Sequence, residues 1–355
     1  MRIMFVIVSM NRGGAENVAS VLSNEFVRIG HEVFFVSDKS ESEITEYYPL
    51  VESVCIEKCF QRKGIVKKIL DLRKVIKKYS PDVVLGITPN PSFIAFVASL
   101  GTKTHVISTD HDSFERPYKF SLKEYVLKFI VNKIYKCVTV ITDADKKVIG
   151  NRFKRIEVMP NPLSLEPIKK EIGNRQKKIL AVGRLDAWHC KGFDLLINAW
   201  SKISEKYPDW TIEIAGEGDA GKLYLMNLIK DNNLENSVVL SGFHYDMNRV
   251  YQESEIFVLS SRYEGFGMVL IEAMSQGCAC IACDYKGRQS EIIEDESQGL
   301  CIEPDNVDLL ANAIEKMIAD ETYRRIVQKN SVERSKFYAA DKIARKWVKL
   351  LQEFV

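Results

Sequence analysis

The sequence predicts an α/β protein made of two doubly wound halves. Three observations lead there. Strand-like apolar runs alternate with helical patterns from one end of the chain to the other. The alternation is interrupted once, by the proline-punctuated segment Met159-Pro-Asn161-Pro162-Leu-Ser-Leu-Glu-Pro167, a natural linker. In the second half, three strand-like runs lead straight into glycines, which builds a crevice at the carboxyl ends of parallel strands. A length of 355 residues suits two domains better than one core. The boundaries read as 1–164, 165–335 and a terminal helical segment, 336–355.

In the first half, Arg2–Ser9 reads as a strand, Ala15–Ile29 as a helix and Glu32–Val36 as a strand. Lys63–Lys78 is helical, Val83–Ile87 a strand and Ser92–Leu100 a short helix. Lys103–Ser108 and Val138–Ile141 read as strands, with a helical Leu122–Lys136 between them. The second series begins at Lys178. Its strands end at Gly183, at Gly216 and at Ser260, and helices are expected over Phe193–Ile203 and Met268–Gln276, the latter closed by Gly277. The last helix, Asp341–Phe354, places Ile343, Trp347, Leu350, Leu351 and Phe354 on one face. No internal repeat or low-complexity segment interrupts the pattern.

The hydrophobic share of 46% is ordinary for a globular protein. No apolar run approaches the roughly 18–20 residues that span a bilayer. The opening Met1-Arg-Ile-Met-Phe-Val-Ile-Val is short for a signal segment, lacks a cleavage site and runs into a glycine loop, so it reads as a buried first strand. Eight cysteines lie among aliphatic residues without framework spacing, which points to a reducing compartment. The tightest group, Cys278, Cys280 and Cys283, reads as a buried small-residue strand rather than a metal site, since no histidine is near and no turn separates ligand pairs.

The net charge of +2 is unevenly spread. Residues 1–165 carry 25 Lys and Arg against 18 Asp and Glu. Arg62–Lys78 holds eight of these cations against the single acid Asp71, with Ile65, Ile69, Leu72 and Ile76 at helical spacing. Lys119–Lys136 alternates lysines with Phe120, Leu122, Val126, Phe129, Ile130 and Ile134. Such segments either lie on an anionic membrane surface or pack an apolar stripe on the domain core with the lysines in water. Two in one domain favour membrane contact. Nucleic acid is a poorer explanation, because no recognition motif accompanies the charge.

The chemistry concentrates in Ser261-Arg-Tyr-Glu264-Gly265-Phe266-Gly267-Met268-Val269-Leu-Ile-Glu272. A glycine turn opening a helix exposes backbone N–H groups and the positive end of the helix dipole, which favour a diphosphate. Glu264 and Glu272 would repel phosphate, so they suit ligand hydroxyls, which an ionised carboxylate accepts in pairs. A ligand with a diphosphate between two hydroxyl-bearing ends is a nucleotide sugar. Two solvated glutamates on a loop and helix are the plainer alternative. Against it stands Gly183-Arg184-Leu-Asp with Lys191-Gly-Phe, where a strand end is followed by two cations suited to phosphate oxygens. A third junction, Ala215-Gly216-Glu-Gly218, repeats the strand–glycine pattern.

These motifs together resemble the large family-four group of retaining glycosyltransferases with the GT-B fold, which assemble bacterial capsule, exopolysaccharide, O-antigen and protein glycans. The likeness covers nearly the whole chain and is strongest in its second half. It implies two Rossmann-like domains facing a central cleft, acceptor bound by the first and donor by the second, and a final helix that crosses back onto the first. It implies that Arg184 and Lys191 hold the donor diphosphate. Glu272 would bond the ribose, and Glu264 would approach the donor sugar. Gly265, Phe266, Gly267, Met268 and Val269, with Gly183 and Gly216, would line sugar and phosphate. No metal or other cofactor is required, because fixed cations oppose the leaving charge. The donor expected is a UDP-sugar, a hexose or N-acetylhexosamine, and the acceptor a glycan on a polyprenyl diphosphate. The enzyme would then work in the cytoplasm, peripheral to the inner face of the membrane.

The loop Asn11-Arg-Gly13-Gly14-Ala-Glu16 is not a dinucleotide fingerprint, so a nicotinamide cofactor is poorly supported. Its glycines permit close backbone approach at a helix start, and the resemblance places Gly13 and Gly14 over the donor phosphates. A simple turn is the alternative. His111, in Thr109-Asp-His111-Asp112 just past a strand, could donate to a sugar hydroxyl or stabilise charge. The resemblance turns it towards the donor sugar. His31 reads as structural, and His105, His189 and His244 have no evident constellation. Tyr285-Lys-Gly287-Arg288-Gln289-Ser290-Glu291 departs from the family pattern, with Arg288 and Gln289 where relatives carry glycine or proline. They represent either loop variation or contact with an anionic or N-acetylated group. Two rival functions share these features: a nucleotide-sugar epimerase of the same fold, which would turn over donor alone, and a non-catalytic partner subunit. The second is disfavoured by the intact set of Arg184, Lys191, Glu264 and Glu272.

Overall fold

The computed structural model describes residues 1–8, 13–45, 48–170 and 173–355. The chain divides into two compact units, Met1–Ser164 with Tyr338–Val355, and Leu165–Phe337.

The first unit runs β1 (Arg2–Val6), α1 (Gly14–Arg28), β2 (Glu32–Ser37), α2 (Glu41–Thr45), β3 (Cys55–Lys58), α3 (Ile65–Tyr79), β4 (Val83–Ile87), α4 (Pro89–Ser99), β5 (His105–Thr109), α5 (Leu122–Tyr125), β6 (Val138–Val140), α6 (Asp143–Ile149) and β7 (Ile156–Val158). Its seven-stranded sheet has the order β3-β2-β1-β4-β5-β6-β7. All its pairings are parallel. Near-continuous apolar strands such as Ile3-Met4-Phe5-Val6, fully buried, are what a sheet covered on both faces requires. The chain winds outward from β1 to β3, then returns to β4 on the other side of β1. Neighbouring loops therefore diverge between β1 and β4.

The second unit runs β8 (Gln176–Val182), α7 (Trp188–Lys191), α8 (Phe193–Ser201), β9 (Thr211–Ala215), α9 (Asp219–Asp231), β10 (Val238–Gly242), α10 (Met247–Glu253), β11 (Ser254–Leu259), α11 (Met268–Ser275), β12 (Ala279–Cys283), β13 (Leu300–Ile302), α12 (Val307–Ala319) and α13 (Glu321–Ser335). Its six strands pair in the order β10-β9-β8-β11-β12-β13, again in parallel. The core beneath gathers Ile179, Ala181, Ile212, Ile214, Ile256 and Val258 from the sheet with Leu196, Trp200, Ile314 and Met317 from the helices. Cys278, Cys280 and Cys283 are buried at β12, as a small-residue strand should be. The order reverses between β8 and β11, so the loops leaving these two strands flank the switch point.

The final helix, α14 (Ala340–Gln352), belongs to the first unit and packs on α1. It buries Ile343, Trp347, Leu350 and Leu351. Arg155 Nη1 holds Glu353 Oε2 at 2.6 Å just beyond it.

Two local expectations change. The first strand ends at Val6, and Ser9, Met10, Asn11 and Arg12 lie outside the described residues. The single helix expected over Leu122–Lys136 is instead α5, a widened π turn at Val126–Ile130 and a tight turn at Val131–Lys133. Lys128 supplies a physical reason. Its ammonium is buried against Asp110 Oδ2 at 3.1 Å and donates to the carbonyls of Asp112 and Ser113 at 2.9 and 3.0 Å. A regular helix with its lysines in water would leave that pair unmade. The short elements α2, β3, α6 and β7 carried too few residues to announce themselves by periodicity.

Candidate active site

The loops that leave β8 and β11, adjacent strands at the switch point, are bound to each other. Gly192 has φ +63°, and a Cβ there would fall 1.9 Å from the carbonyl oxygen of Ser260, so only glycine permits the contact. Ser260 Oγ donates to Lys191 O at 2.8 Å, and Arg262 N donates to Cys190 O at 2.9 Å. Arg262 then forks onto both oxygens of Asp194 at 2.7 and 2.9 Å, reaches Asp305 at 2.7 Å, and donates to His189 O at 2.8 Å. A bidentate guanidinium–carboxylate pair is geometrically stiff. It fixes one loop against the other.

Within that frame Lys191 Nζ donates to Glu264 Oε2 at 2.7 Å, and Ser261 Oγ reaches the same oxygen at 3.3 Å. Burial alone would lower the Lys191 ammonium, but the Glu264 charge and hydrogen bond outweigh it and leave the group raised. Arg184 is exposed on the same loop, and its charge opposes that of Lys191. Two cations that feel each other's charge favour an anion between them.

The glycine junctions close the neighbouring strand ends. A Cβ on Gly216 would fall 1.8 Å from Gly183 O. Gly183 N donates to Ala215 O at 3.0 Å, Leu185 N to Glu217 O at 2.8 Å, and Gly216 N to Gly242 O at 2.8 Å. Beside them opens a cavity of about 460 Å³, with Leu185, Asp186, Gly216, Glu217, Gly218, Asp219, Lys222, Leu240 and Gly242 in its wall.

Gly265, Phe266 and Gly267 turn the chain into α11, with Phe266 buried. The first-turn N–H groups of Met268 and Val269 lack intrahelical acceptors, as at any helix start. Glu272, one turn further, accepts from Tyr251 Oη at 3.1 Å. Tyr251 is fully buried, and burial followed by the Glu272 charge pushes its hydroxyl well above the usual range, so it remains a donor. Gln289 Nε2 donates to Phe266 O at 3.2 Å while its Oε1 accepts from Tyr285 N at 2.7 Å. Arg288 is wholly buried, with Nη1 on Tyr285 O at 3.3 Å and its guanidinium 5.4 Å from the Tyr285 ring. Both side chains thus have internal partners. Gln289 braces the glycine turn, and Arg288 packs on Tyr285.

Gly13, Gly14 and His111 belong to the first unit. Gly13 N donates to Tyr48 Oη at 2.8 Å, and Gly13 caps α1 in an extended conformation that any residue adopts. His111 follows β5, half-buried. Its Nε2 lies 3.2 Å from Thr109 Oγ1 and its Nδ1 lies 3.1 Å from Asn161 Oδ1. Both ring nitrogens thus have a partner within the protein. Burial holds the ring down to about 4, against the opposing Asn161 contact.

The structure thus joins Lys191 to Glu264 and Gly183 to Gly216, while Glu272 has its own partner in Tyr251. Sequence reasoning missed Arg262, Tyr251 and Asn161. Arg262 and Tyr251 depend on partners far away in sequence. Only Asn161 offered a signal, as a polar residue between two prolines.

Two family models match the chain in tandem. Glycosyltransferase Family 4 spans residues 12–167 and Glycosyl transferases group 1 spans 165–334. An N-acetylgalactosamine-N,N'-diacetylbacillosaminyl-diphospho-undecaprenol 4-alpha-N-acetylgalactosaminyltransferase of Campylobacter jejuni is 28% identical over 97% of this chain and 98% of its own. The amylovoran biosynthesis glycosyltransferase AmsD of Erwinia amylovora is 29% identical over 96% of each chain. Among solved structures, Anabaena HepE in complex with UDP superposes with a TM-score of 0.85 at 19% identity, covering 99% of this chain and 100% of that one, a likeness of fold. The chain belongs to the GT-B glycosyltransferases of the family-4 type.

Proposed function

We propose that this protein is a retaining glycosyltransferase that moves a hexose or N-acetylhexosamine from a UDP-sugar to a hydroxyl of a lipid-linked glycan. Its product would feed bacterial capsule, exopolysaccharide, O-antigen or protein-glycan assembly. The observation that carries this reading is the Lys191–Glu264 pair beside exposed Arg184, at the switch point of the second unit. Arg184, Lys191 and the α11 amides offer fixed positive charge to a leaving diphosphate, which is electrostatic stabilisation of developing charge. Glu264 and Glu272 offer acceptors for sugar and ribose hydroxyls. In the step proposed, the C1–O bond to phosphate breaks, the acceptor oxygen bonds C1 on the same face, and its proton passes to the departing phosphate. The two cations supply the charge a metal ion would otherwise supply, so transfer is expected to persist in EDTA.

The donor and acceptor classes draw support from the relatives. The Campylobacter enzyme is named for an N-acetylgalactosaminyl transfer onto a diphospho-undecaprenol substrate, and HepE was solved with UDP. Support for membrane contact comes from the first unit. Val66 and Leu70 of α3 are 65% and 50% exposed, and Leu122, Tyr125 and Ile130 are 81%, 51% and 52% exposed, among exposed lysines. Both α3 and the Val126–Ile130 turn pack against α4.

The test is calorimetric titration with UDP, GDP and ADP, followed by transfer assays on Arg184→Ala, Lys191→Ala and Glu272→Ala. Binding of one nucleotide, lost in Arg184→Ala, is expected, with transfer reduced about 100-fold in the other two. Wild-type-like transfer by both would defeat the site assignment. Failure of all three nucleotides to bind would favour a non-catalytic partner subunit.

A further inference from the structure

Tyr251, on α10, is fully buried, so its hydroxyl needs a partner inside the protein. It donates to Glu272 Oε2, on α11, at 3.1 Å. The tyrosine is itself held from both ends. Its backbone carbonyl accepts from Arg175 Nη1 and from Cys278 Sγ, both at 3.1 Å, and its ring meets Phe257 edge-on at 5.9 Å. Other bonds already tie α10 to the end of α11. Gln252 Nε2 donates to Gln276 Oε1 at 2.7 Å. Arg175 bonds the carbonyls of Tyr251, Gln252 and Ser254 through Nη1 and that of Gln276 through Nη2. The Tyr251 hydroxyl adds a fixed donor on a carboxylate. Glu272 stands half-buried one turn into α11, and so long a side chain has several rotamers open to it. A carboxylate offers about four lone-pair directions, so a bond from a phenol is compatible with accepting ligand hydroxyls.

We infer that Tyr251 is a positioning residue for nucleotide binding, holding the Glu272 carboxylate in the orientation in which it receives the ribose hydroxyls of the donor. This rests on the donor-site reading, in which Glu272 meets the ribose. A tyrosine turns on two side-chain torsions only, and packing around a fully buried ring fixes both, so its hydroxyl marks one point in space. A hydrogen bond to an ionised carboxylate is stronger than one between neutral groups. Burial, then the Glu272 charge, keeps the hydroxyl protonated, so the donor persists wherever Glu272 is ionised. Ordering a side chain before the ligand arrives removes that cost from binding. Without the hydroxyl, the ligand must order Glu272 itself, and the loss falls only on ligands that carry the ribose hydroxyls. A residue that merely packed α10 against α11 would affect every nucleotide alike.

The test is calorimetric titration of the full chain with UDP and with 2′,3′-dideoxy-UDP, using the wild type, Tyr251→Phe, Glu272→Ala and the double variant. The wild type is expected to bind UDP more tightly than the dideoxy analogue. Tyr251→Phe should weaken UDP about tenfold, the cost of ordering one long side chain, and leave the dideoxy analogue unchanged. Binding of that analogue also reports that the variant is folded. Glu272→Ala should bind the two nucleotides alike, and adding Tyr251→Phe to it should cost nothing further, which is the coupling a double-mutant cycle reads. In steady-state assays Tyr251→Phe should raise KM for the donor with kcat little changed, because a ribose contact is made equally in the ground and transition states. Equal weakening of both nucleotides by Tyr251→Phe, an unchanged affinity for UDP, or a full loss that persists in the Glu272→Ala background would each overturn the inference. A wild type that binds neither nucleotide, or both alike, fails instead at the ribose role of Glu272, and the inference falls with it.

Discussion

At the scale of single residues, His111 and Asp110 answer pH in opposite senses. The His111 ring is held down to about 4 by burial, against an ordinary value of 6.5. Between those values the unfolded chain binds a proton that the folded ring refuses, so stability falls as pH falls. The His111 contribution is complete above pH 6.5 and lost below about 4. Asp110 is raised to about 6 by burial, with Lys128 opposing. Its folded carboxyl keeps a proton that the unfolded one has released, so its contribution is complete below 3.8 and lost as pH rises through about 6. His111→Asn removes only the first effect. The drop in Tm from pH 7 to pH 5 should therefore be smaller in that variant than in the wild type, as followed by circular dichroism. Equal drops would mean that the ring titrates like an exposed histidine.

At the scale of elements, the site depends on how closely the β8 and β11 loops approach. Gly192→Ala must place a methyl where Ser260 O now sits, at a φ of +63°. The expected cost is about 3 kcal/mol in urea unfolding, with weakened nucleotide binding because Lys191 is displaced from Glu264. Gly30 is the internal control. It has φ +88°, and a methyl added there would meet nothing within 4 Å, so Gly30→Ala should cost only about 1 kcal/mol and leave nucleotide affinity intact. Equal losses in the two variants would show that backbone conformation, not the loop contact, sets the requirement at Gly192.

For the whole molecule, no described helix is long and apolar enough to cross a membrane. The basic surface of the first unit is the relevant feature. Leu122, at 81% exposed, has the exposed Lys119 and Lys123 beside it in the sequence. Full-length protein should sediment with vesicles containing anionic phospholipid at low ionic strength and be released by salt, because the attraction decays over a Debye length of about 10 Å at 0.1 M. Leu122→Glu with Ile130→Glu should abolish sedimentation without changing nucleotide binding. Equal sedimentation of wild type and double variant with the anionic vesicles, or none by either, would remove the membrane role of this surface and leave the donor site untouched.

The sequence alone determined the two doubly wound halves, because a parallel sheet buried on both faces must be written as apolar runs between helices. It also singled out Arg184, Lys191, Glu264 and Glu272 as candidate site residues, because glycine junctions followed by charge are local patterns. The tertiary structure decided which of these meet. Lys191 and Glu264 stand 73 residues apart, and Arg262 reaches back 68 residues to Asp194. It also decided that Lys128 leaves the basic face to pair with Asp110 and that Arg288 is buried against Tyr285. Periodicity records which side of an element is apolar. The partner of a charge is set by strand order, and strand order is written nowhere in the local pattern.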